Sequence, residues 1–287
     1  MNHRRARFPF QILSLLFVVS LSPCLRGELA FAEEPRTKTL LLLGQKPDGH
    51  PPGTHEYMAG QRILRHLLGD VPGWKIEIVQ ADNPWPEGPD LIAKADAVVI
   101  FASQGGAWVT EDERRYDAYV QLAARGGGLS ALHWGLGVKD PKKIAPFVRL
   151  LGACHGGKDR KFKFFESITY TPNKDHPVTT GVAGTTLREE FYFALKREPT
   201  ASDALIPLIT IPVEGEDGKT HDDLVSWAWT RPDGGRSFGF TGLHFHENWQ
   251  QPDYRRLITQ GVLWTMGREI PEEGMKIEVP TDLLNLK

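Results

Sequence analysis

Short apolar runs alternate with longer amphipathic stretches along this chain. Residues 39–44 (TLLLLG), 97–101 (AVVIF) and 129–132 (LSAL) are runs of strand length with almost no polar break. Strands buried on both faces, as in a parallel sheet covered by helices, read this way. Residues 74–79 alternate instead and read as a second strand. Residues 55–68 place Met58, Ile63, Leu64, Leu67 and Leu68 on one helical stripe. Thr110 and Glu113 have capping-box spacing, which predicts a helix to about Arg125, stopped by Gly126, Gly127 and Gly128. This alternation predicts a three-layer α/β fold, a mostly parallel sheet with helices on both faces.

The second half continues the pattern less cleanly. Residues 141–151 predict a helix and 162–170 a strand. Residues 172–186 carry Pro, Gly, Asn and Thr and read as loop. Strands are expected at 205–211 and 225–229, with residues 214–223 as a charged turn, and a last strand at 237–241. The final helix spans 253–266, apolar through Leu257, Ile258, Val262, Leu263 and Met266. Residues 268–287 read as a tail containing Pro and Glu.

The N-terminus bears on where the protein works. Arg4, Arg5 and Arg7 precede an apolar run over residues 8–21, and Ala30-Phe31-Ala32 has the small-x-small form of a cleavage site. This predicts a signal peptide over residues 1–32, cleaved after Ala32, and a periplasmic or secreted protein. The run is short for a membrane span of about 20 residues. The expected organisation is leader 1–32, linker 33–37, one domain over 38–267 and tail 268–287.

Residues 1–32 hold four Arg and one Glu, so their removal takes the formal charge from −2 to −5. A mildly acidic chain with no basic stripe argues against nucleic acid as a partner. Cys154 is then the one cysteine left, so no internal disulfide can form.

Ligands in open parallel sheets sit beyond the C-terminal ends of the strands. Those positions carry Gln45, His50 and His55 after the first strand, Ser103 and Gln104 after the third, His133 and Trp134 after the fourth, and His244, His246 and Trp249 after the last. His133 follows a strand at a tight turn, where α/β hydrolytic folds expose a nucleophile. An imidazole there can act as general base, proton shuttle or metal ligand. His244 and His246 are two apart, so an extended backbone would aim both at one centre. They are a usable metal pair for zinc or a similar divalent ion, with His133, His155 or Glu190 as third ligand. Glu189-Glu190-Phe191-Tyr192 brings a carboxylate that can orient a His or act as base. Cys154 precedes His155, yet neighbours in sequence rarely hold Cys–His catalytic geometry, so a small buried thiol is expected.

Taken together, residues 126–133 (GGGLSALH), 150–153 (LLGA), 175–177 (DHP), 189–192 (EEFY), 240–246 (FTGLHFH) with Trp249, and 261–264 (GVLW) resemble the ThuA-like (trehalose-utilisation) family over roughly residues 38–267. The resemblance implies a class I glutamine amidotransferase-like, flavodoxin-like fold. It implies that His133 stands where amidotransferases keep their cysteine, so Cys-dependent glutaminase activity is not expected. It also implies a role in the catabolism of trehalose and other disaccharides, including routes through 3-keto-sugars. The chain departs from the family pattern at Glu189-Glu190, where Asp-Glu is common, and at His244-Phe245-His246, where the histidines are often adjacent.

The expected function is an exported enzyme of carbohydrate metabolism, of hydrolase, lyase or isomerase type, acting on a disaccharide or (3-keto-)glycoside. His133 and Glu190 are the catalytic candidates. Gln45, His55, Gln104, Trp134, Tyr192 and Trp249 are the substrate-binding candidates, and His244, His246 and His155 the metal candidates. The alternatives are a non-catalytic carbohydrate-binding or scaffold protein, and a metal-dependent hydrolase of an unrelated amide or ester. The partner expected is a small-molecule carbohydrate, with no nucleic acid, no stable membrane insertion after cleavage, and homo-oligomerisation left open.

Overall fold

The structure is a computed structural model that describes residues 36–201 and 204–286. The expected leader and residues 33–35 of the linker lie outside the described residues. In chain order the elements are β1 (Lys38–Gly44), α1 (Tyr57–Leu68), β2 (Trp74–Gln80), α2 (Gly88–Lys94), β3 (Ala97–Phe101), α3 (Gly105–Glu111), α4 (Glu113–Ala124) and β4 (Gly128–Leu132). There follow β5 (Gly137–Val138), α5 (Ile144–Leu151), β6 (Ala153–Gly156), β7 (Lys161–Thr169), β8 (Thr171–Pro172), β9 (Thr186–Phe193) and β10 (Lys196–Arg197). The chain closes with β11 (Leu205–Glu214), β12 (Thr220–Thr230), β13 (Arg236–Phe240), α6 (Pro252–Thr265) and α7 (Thr281–Leu284).

The main sheet has the order β2-β1-β3-β4-β13-β12-β11-β8. From β2 to β13 neighbouring strands are parallel, and β12, β11 and β8 extend the sheet antiparallel. The five parallel strands follow the 2-1-3-4-5 order of flavodoxin-like sheets. Period two divides each buried strand between the two layers: Leu40 and Leu42 join the core shared with α1 and α6, whereas Leu41 and Leu43 join the core shared with α2, α4 and α5. Each such buried aliphatic side chain contributes about 1.5–3 kcal/mol. Among the described residues no helix is long and apolar enough to cross a membrane.

Several local expectations are corrected. Asp112, not Thr110, caps α4: its Oδ1 accepts the Arg115 N–H at 2.7 Å. Thr110 lies inside the unforeseen α3, and its hydroxyl donates back to the Gly106 carbonyl at 2.8 Å. The turn expected over 214–223 shrinks, because β11 and β12 pair out to Glu214 opposite Thr220. The residues at that hairpin tip are exposed, so their charges stay in water without ending the strands. The helix expected from 141 begins with a single 3₁₀ turn at Pro141–Lys143, capped by Asp140, before α5.

Residues 268–286 run back over the domain. Met275, Ile277, Val279, Leu283 and Leu284 pack on the α1/α6 core, and the backbone is tied at Met275 N–H to Gln260 Oε1 (2.8 Å) and at Ile277 O by Arg255 Nε (2.7 Å).

Candidate functional site

The loops after β1 and β13 are stitched together. His55 N–H donates to the His244 carbonyl at 3.0 Å, and His246 N–H to the Gly53 carbonyl at 2.9 Å. His133, directly after β4, faces the same place. Among the described residues five non-glycines have positive φ, and His55, Gln104, His133 and Leu243 all stand beyond strand ends of the parallel sheet. Such backbone costs about 1 kcal/mol or more and persists where the surroundings over-determine it, often at functional sites. The turn after β4 is also pressed on its neighbour: a Cβ on Gly105 would lie 2.6 Å from the Gly135 carbonyl oxygen, so only glycine fits at the start of α3.

Three buried imidazoles therefore meet. His55 Nε2 is 3.1 Å from His133 Nε2 and 3.1 Å from His244 Nδ1. The outer nitrogens of two are committed. His133 Nδ1 donates to the Thr241 carbonyl at 2.7 Å, and His55 Nδ1 to Asp48 Oδ2 at 3.1 Å, where the Tyr57 hydroxyl also donates at 2.7 Å. His50 stacks on His55 with ring centres 3.8 Å apart. Tyr192 OH is 3.0 Å from His133 Nε2, and its ring stacks on both His133 and His155.

The two neighbouring glutamates take different roles because adjacent strand residues face opposite ways. Glu190 shares its face of β9 with Tyr192, and its Oε1 stands 3.9 Å from His133 Nε2 and 3.8 Å from His244 Nδ1. Glu189 turns the other way and accepts the N–H groups of Glu190, Leu243 and His244 and the Asn248 amide, at 2.8–3.1 Å. It is a clamp on the loop that carries His244.

Burial governs the ionisation of these groups. It pushes Glu189 up to about 7 against the four donors, and Glu190 up to about 7, with Glu189 adding to the rise and the Tyr192 hydroxyl opposing it. Burial first, then mutual repulsion with His55 and His244, puts His133 well below the ordinary imidazole value. Burial likewise takes His155 and His244 down to about 3. At Asp48 burial acts upward, but hydrogen bonds from His55, Tyr57 and His50 together outweigh it and hold the carboxyl below the usual range.

Above the imidazoles lies a cavity of about 170 Å³ walled by His50, His55, Trp134, His155, Glu190 and Tyr192, with Lys139, Arg160 and Phe162 at its edge. The β7/β9 ribbon roofs it. Phe162 pairs with Tyr192 and Phe164 with Glu190, so both Phe side chains share the pocket face, yet they are 51% and 50% exposed.

Of the expected residues, His55, His133, Glu190, Trp134, Tyr192 and His155 meet at this site. His133 is fully buried beneath the lining, so it stands behind the surface that a substrate would touch. His244 joins the cluster, but His246 does not. His244 sits in a bend and His246 opens a 3₁₀ turn, so the pair does not lie on one continuous strand, and His246 Nε2 donates to the Leu284 carbonyl at 3.0 Å. Trp249 is buried in the α1/α6 core, a correction to its substrate-binding role. Gln45 and Gln104 line a separate, adjacent cleft. Both ends of the Gln45 amide are used by backbone, at Ala81 O (3.1 Å) and Ser103 N–H (3.0 Å). Cys154 is a buried free thiol pushed up to about 12 by burial, unsuited to nucleophilic catalysis. Sequence reasoning placed His50 at a strand end without giving it a role, and missed Asp48, Tyr57, Phe162 and Phe164. The alternation Phe162-Lys163-Phe164 on a strand was the one available signal, since it aims two aromatics at one face.

The family model for ThuA, described as trehalose utilisation, matches residues 42–265. A ThuA-like protein of Bacteroides uniformis has a similar structure, with a TM-score of 0.60, 16% identity, and coverage of 87% of this chain and 98% of that one. A ThuA-like protein of Parabacteroides merdae gives 0.57, 15%, 86% and 94%. A cytoplasmic protein of Salmonella typhimurium gives 0.53, 16%, 79% and 98%. No curated protein sequence matches the chain. The structural likenesses bear on the fold, and the family match over most of the chain identifies it as a member of the ThuA, trehalose-utilisation, family.

Proposed function

We propose that this protein is an exported enzyme of carbohydrate catabolism that converts a disaccharide or a (3-keto-)glycoside in the cavity beneath Phe162 and Phe164. The observation that carries this reading is the position of Glu190: a buried carboxylate on the cavity wall, within 4 Å of two imidazoles and framed by Trp134 and Tyr192. Aromatic faces suit the C–H faces of a sugar ring, and a carboxylate within hydrogen-bond reach suits its hydroxyls. Glu190 is the group that exchanges a proton with substrate. His133, behind the wall, orients Tyr192 and Glu190. In a 3-keto-glycoside the C–H next to the carbonyl is acidified, so one carboxylate above it serves isomerase or lyase chemistry. Lys139 and Arg160 at the edge suit the negative charge that develops on the carbonyl oxygen. Export through residues 1–32 is part of the same reading and predicts a mature N-terminus at Glu33.

The exposed Phe162 and Phe164 also favour a second reading, a carbohydrate-binding protein without turnover. An NMR time course separates the two. Purified protein is mixed with trehalose, a simple glucoside and their 3-keto derivatives, with and without divalent metal. New sugar resonances support the enzyme. Ligand line-broadening with unchanged sugar supports the binding protein and overturns the enzyme.

A further inference from the structure

We infer that His55, His133 and His244 form a binding site for one zinc-type divalent cation, with an open position facing Glu190. The convergence of three ring nitrogens within 4.8 Å of one another carries it, together with the placement of the outer protons. His133 spends its Nδ1 proton on the Thr241 carbonyl and His55 spends its own on Asp48. Each neutral imidazole carries one N–H, so the two Nε2 atoms, 3.1 Å apart, present lone pairs to each other. His244 Nδ1 lies 3.1 Å from His55 Nε2, and the ligand atoms of all three histidines fall within 4.8 Å of one another. The Tyr192 hydroxyl serves one of these lone pairs and an Nδ1 proton on His244 can serve the other when the site is empty; one cation between the three nitrogens satisfies all of them at once.

The geometry fits that cation. Ligand nitrogens 2.0–2.1 Å from one zinc ion stand about 2.9–3.4 Å apart for angles between 90° and tetrahedral, and both measured spacings fall inside that window. The outer partners point the same way. Metal-bound histidines donate their remaining N–H to a carboxylate or a backbone carbonyl, which is what Asp48 and Thr241 accept. Glu190 Oε1, at 3.8–3.9 Å from His244 and His133, is too far to complete the set as tightly as the imidazoles and leaves room for a water or substrate oxygen. Three imidazoles with one free position is the pattern of catalytic rather than structural zinc. The site goes beyond the proposed function and does not depend on it, because metal content is read without substrate.

The test strips the purified protein with a chelator, reloads it with zinc, passes it through gel filtration and measures metal per chain. One ion per chain is expected. His55→Ala and His244→Ala each lower retained zinc by about tenfold or more, while His50→Ala and His246→Ala keep it. Because removal of fully buried His133 endangers the fold, X-ray absorption of the zinc-loaded wild type supplies the second readout, with three imidazole scatterers expected. Equal retention by His55→Ala and His244→Ala overturns the site. Loss in His50→Ala together with retention in His244→Ala places the ion at Asp48, His50 and His55 and overturns it as well. Absence of bound metal, with an imidazolium signature in nitrogen NMR, shows that a proton fills the gap and likewise overturns the site.

Discussion

Glu189 holds the loop of His244 from behind: its Oε1 accepts the His244 backbone N–H at 3.1 Å while its Oε2 accepts that of Leu243 at 2.8 Å. The imidazole of His244 is thereby aimed by a residue that never faces the cavity. Glu189→Ala strands these buried donors, each worth about 1–3 kcal/mol when unsatisfied. A loss of about 3 kcal/mol or more in urea unfolding is expected, with a smaller loss for Glu189→Gln, which keeps an acceptor. Equal stability of Glu189→Ala and wild type would show that Glu189 is no clamp.

Phe162 lines the cavity, Phe164 lies on the same face of β7 with its ring edge-on to His244, and both contribute little to the core, since half of each is exposed. The double variant Phe162→Ala, Phe164→Ala is expected to stay within about 0.5 kcal/mol of wild-type stability per site. Sugar affinity is expected to fall several-fold, at about 0.5–1.5 kcal/mol per lost aromatic contact. Calorimetric titration and thermal unfolding read the two effects separately.

Cys154 gives a pH-dependent prediction. Burial raises its thiol to about 12 from an ordinary 9.0, so the folded state binds its proton more tightly than the unfolded state. Its contribution to stability is complete below pH 9 and is lost as pH rises toward 12. In protein without residues 1–32, whose one cysteine is Cys154, iodoacetamide at about pH 8, below the ordinary thiol value, is expected to label the unfolded state readily and the folded state hardly at all. Fast labelling of the folded protein would show that the thiol is open to solvent.

His246 ties the C-terminal segment to the domain through the Leu284 carbonyl. His246→Ala is expected to cost about 1 kcal/mol and to speed amide exchange around residues 281–284. Ligand binding is expected to be unchanged. A loss of binding comparable to that of a cavity-wall variant would return His246 to the site.

The parallel sheet was legible because β1, β3 and β4 are buried on both faces, and a continuous apolar run of strand length, bounded by turn residues, suits a doubly covered strand. Elements stabilised mainly by tertiary contact left weaker traces. β6 is four residues, and α3 starts at glycines whose packing against Gly135 no local propensity reports. The site was half legible. His55, His133 and Glu190 were found from strand ends and motif, but Asp48 and Tyr57 sit where the loop after β1 gives way to α1, outside any periodic pattern. The His244–His246 spacing misled because the two-residue rule needs a continuous strand, and here Phe245 alone is extended between a bend at His244 and the 3₁₀ turn that opens at His246. Which of Glu189 and Glu190 faces the cavity depends on the register of β9 against β7, and that register is a tertiary fact.

Glu190 is the group on which the enzyme reading turns, and Glu190→Gln keeps its shape while removing its capacity to exchange a proton. The decisive measurement compares this variant with wild type on whichever disaccharide or 3-keto-glycoside binds, using calorimetry for affinity and NMR for product. Affinity within a few-fold of wild type is expected, with product formation lowered by about 100-fold or more. Product formation at the wild-type rate in Glu190→Gln would contradict the assignment of Glu190 as the proton-transferring group.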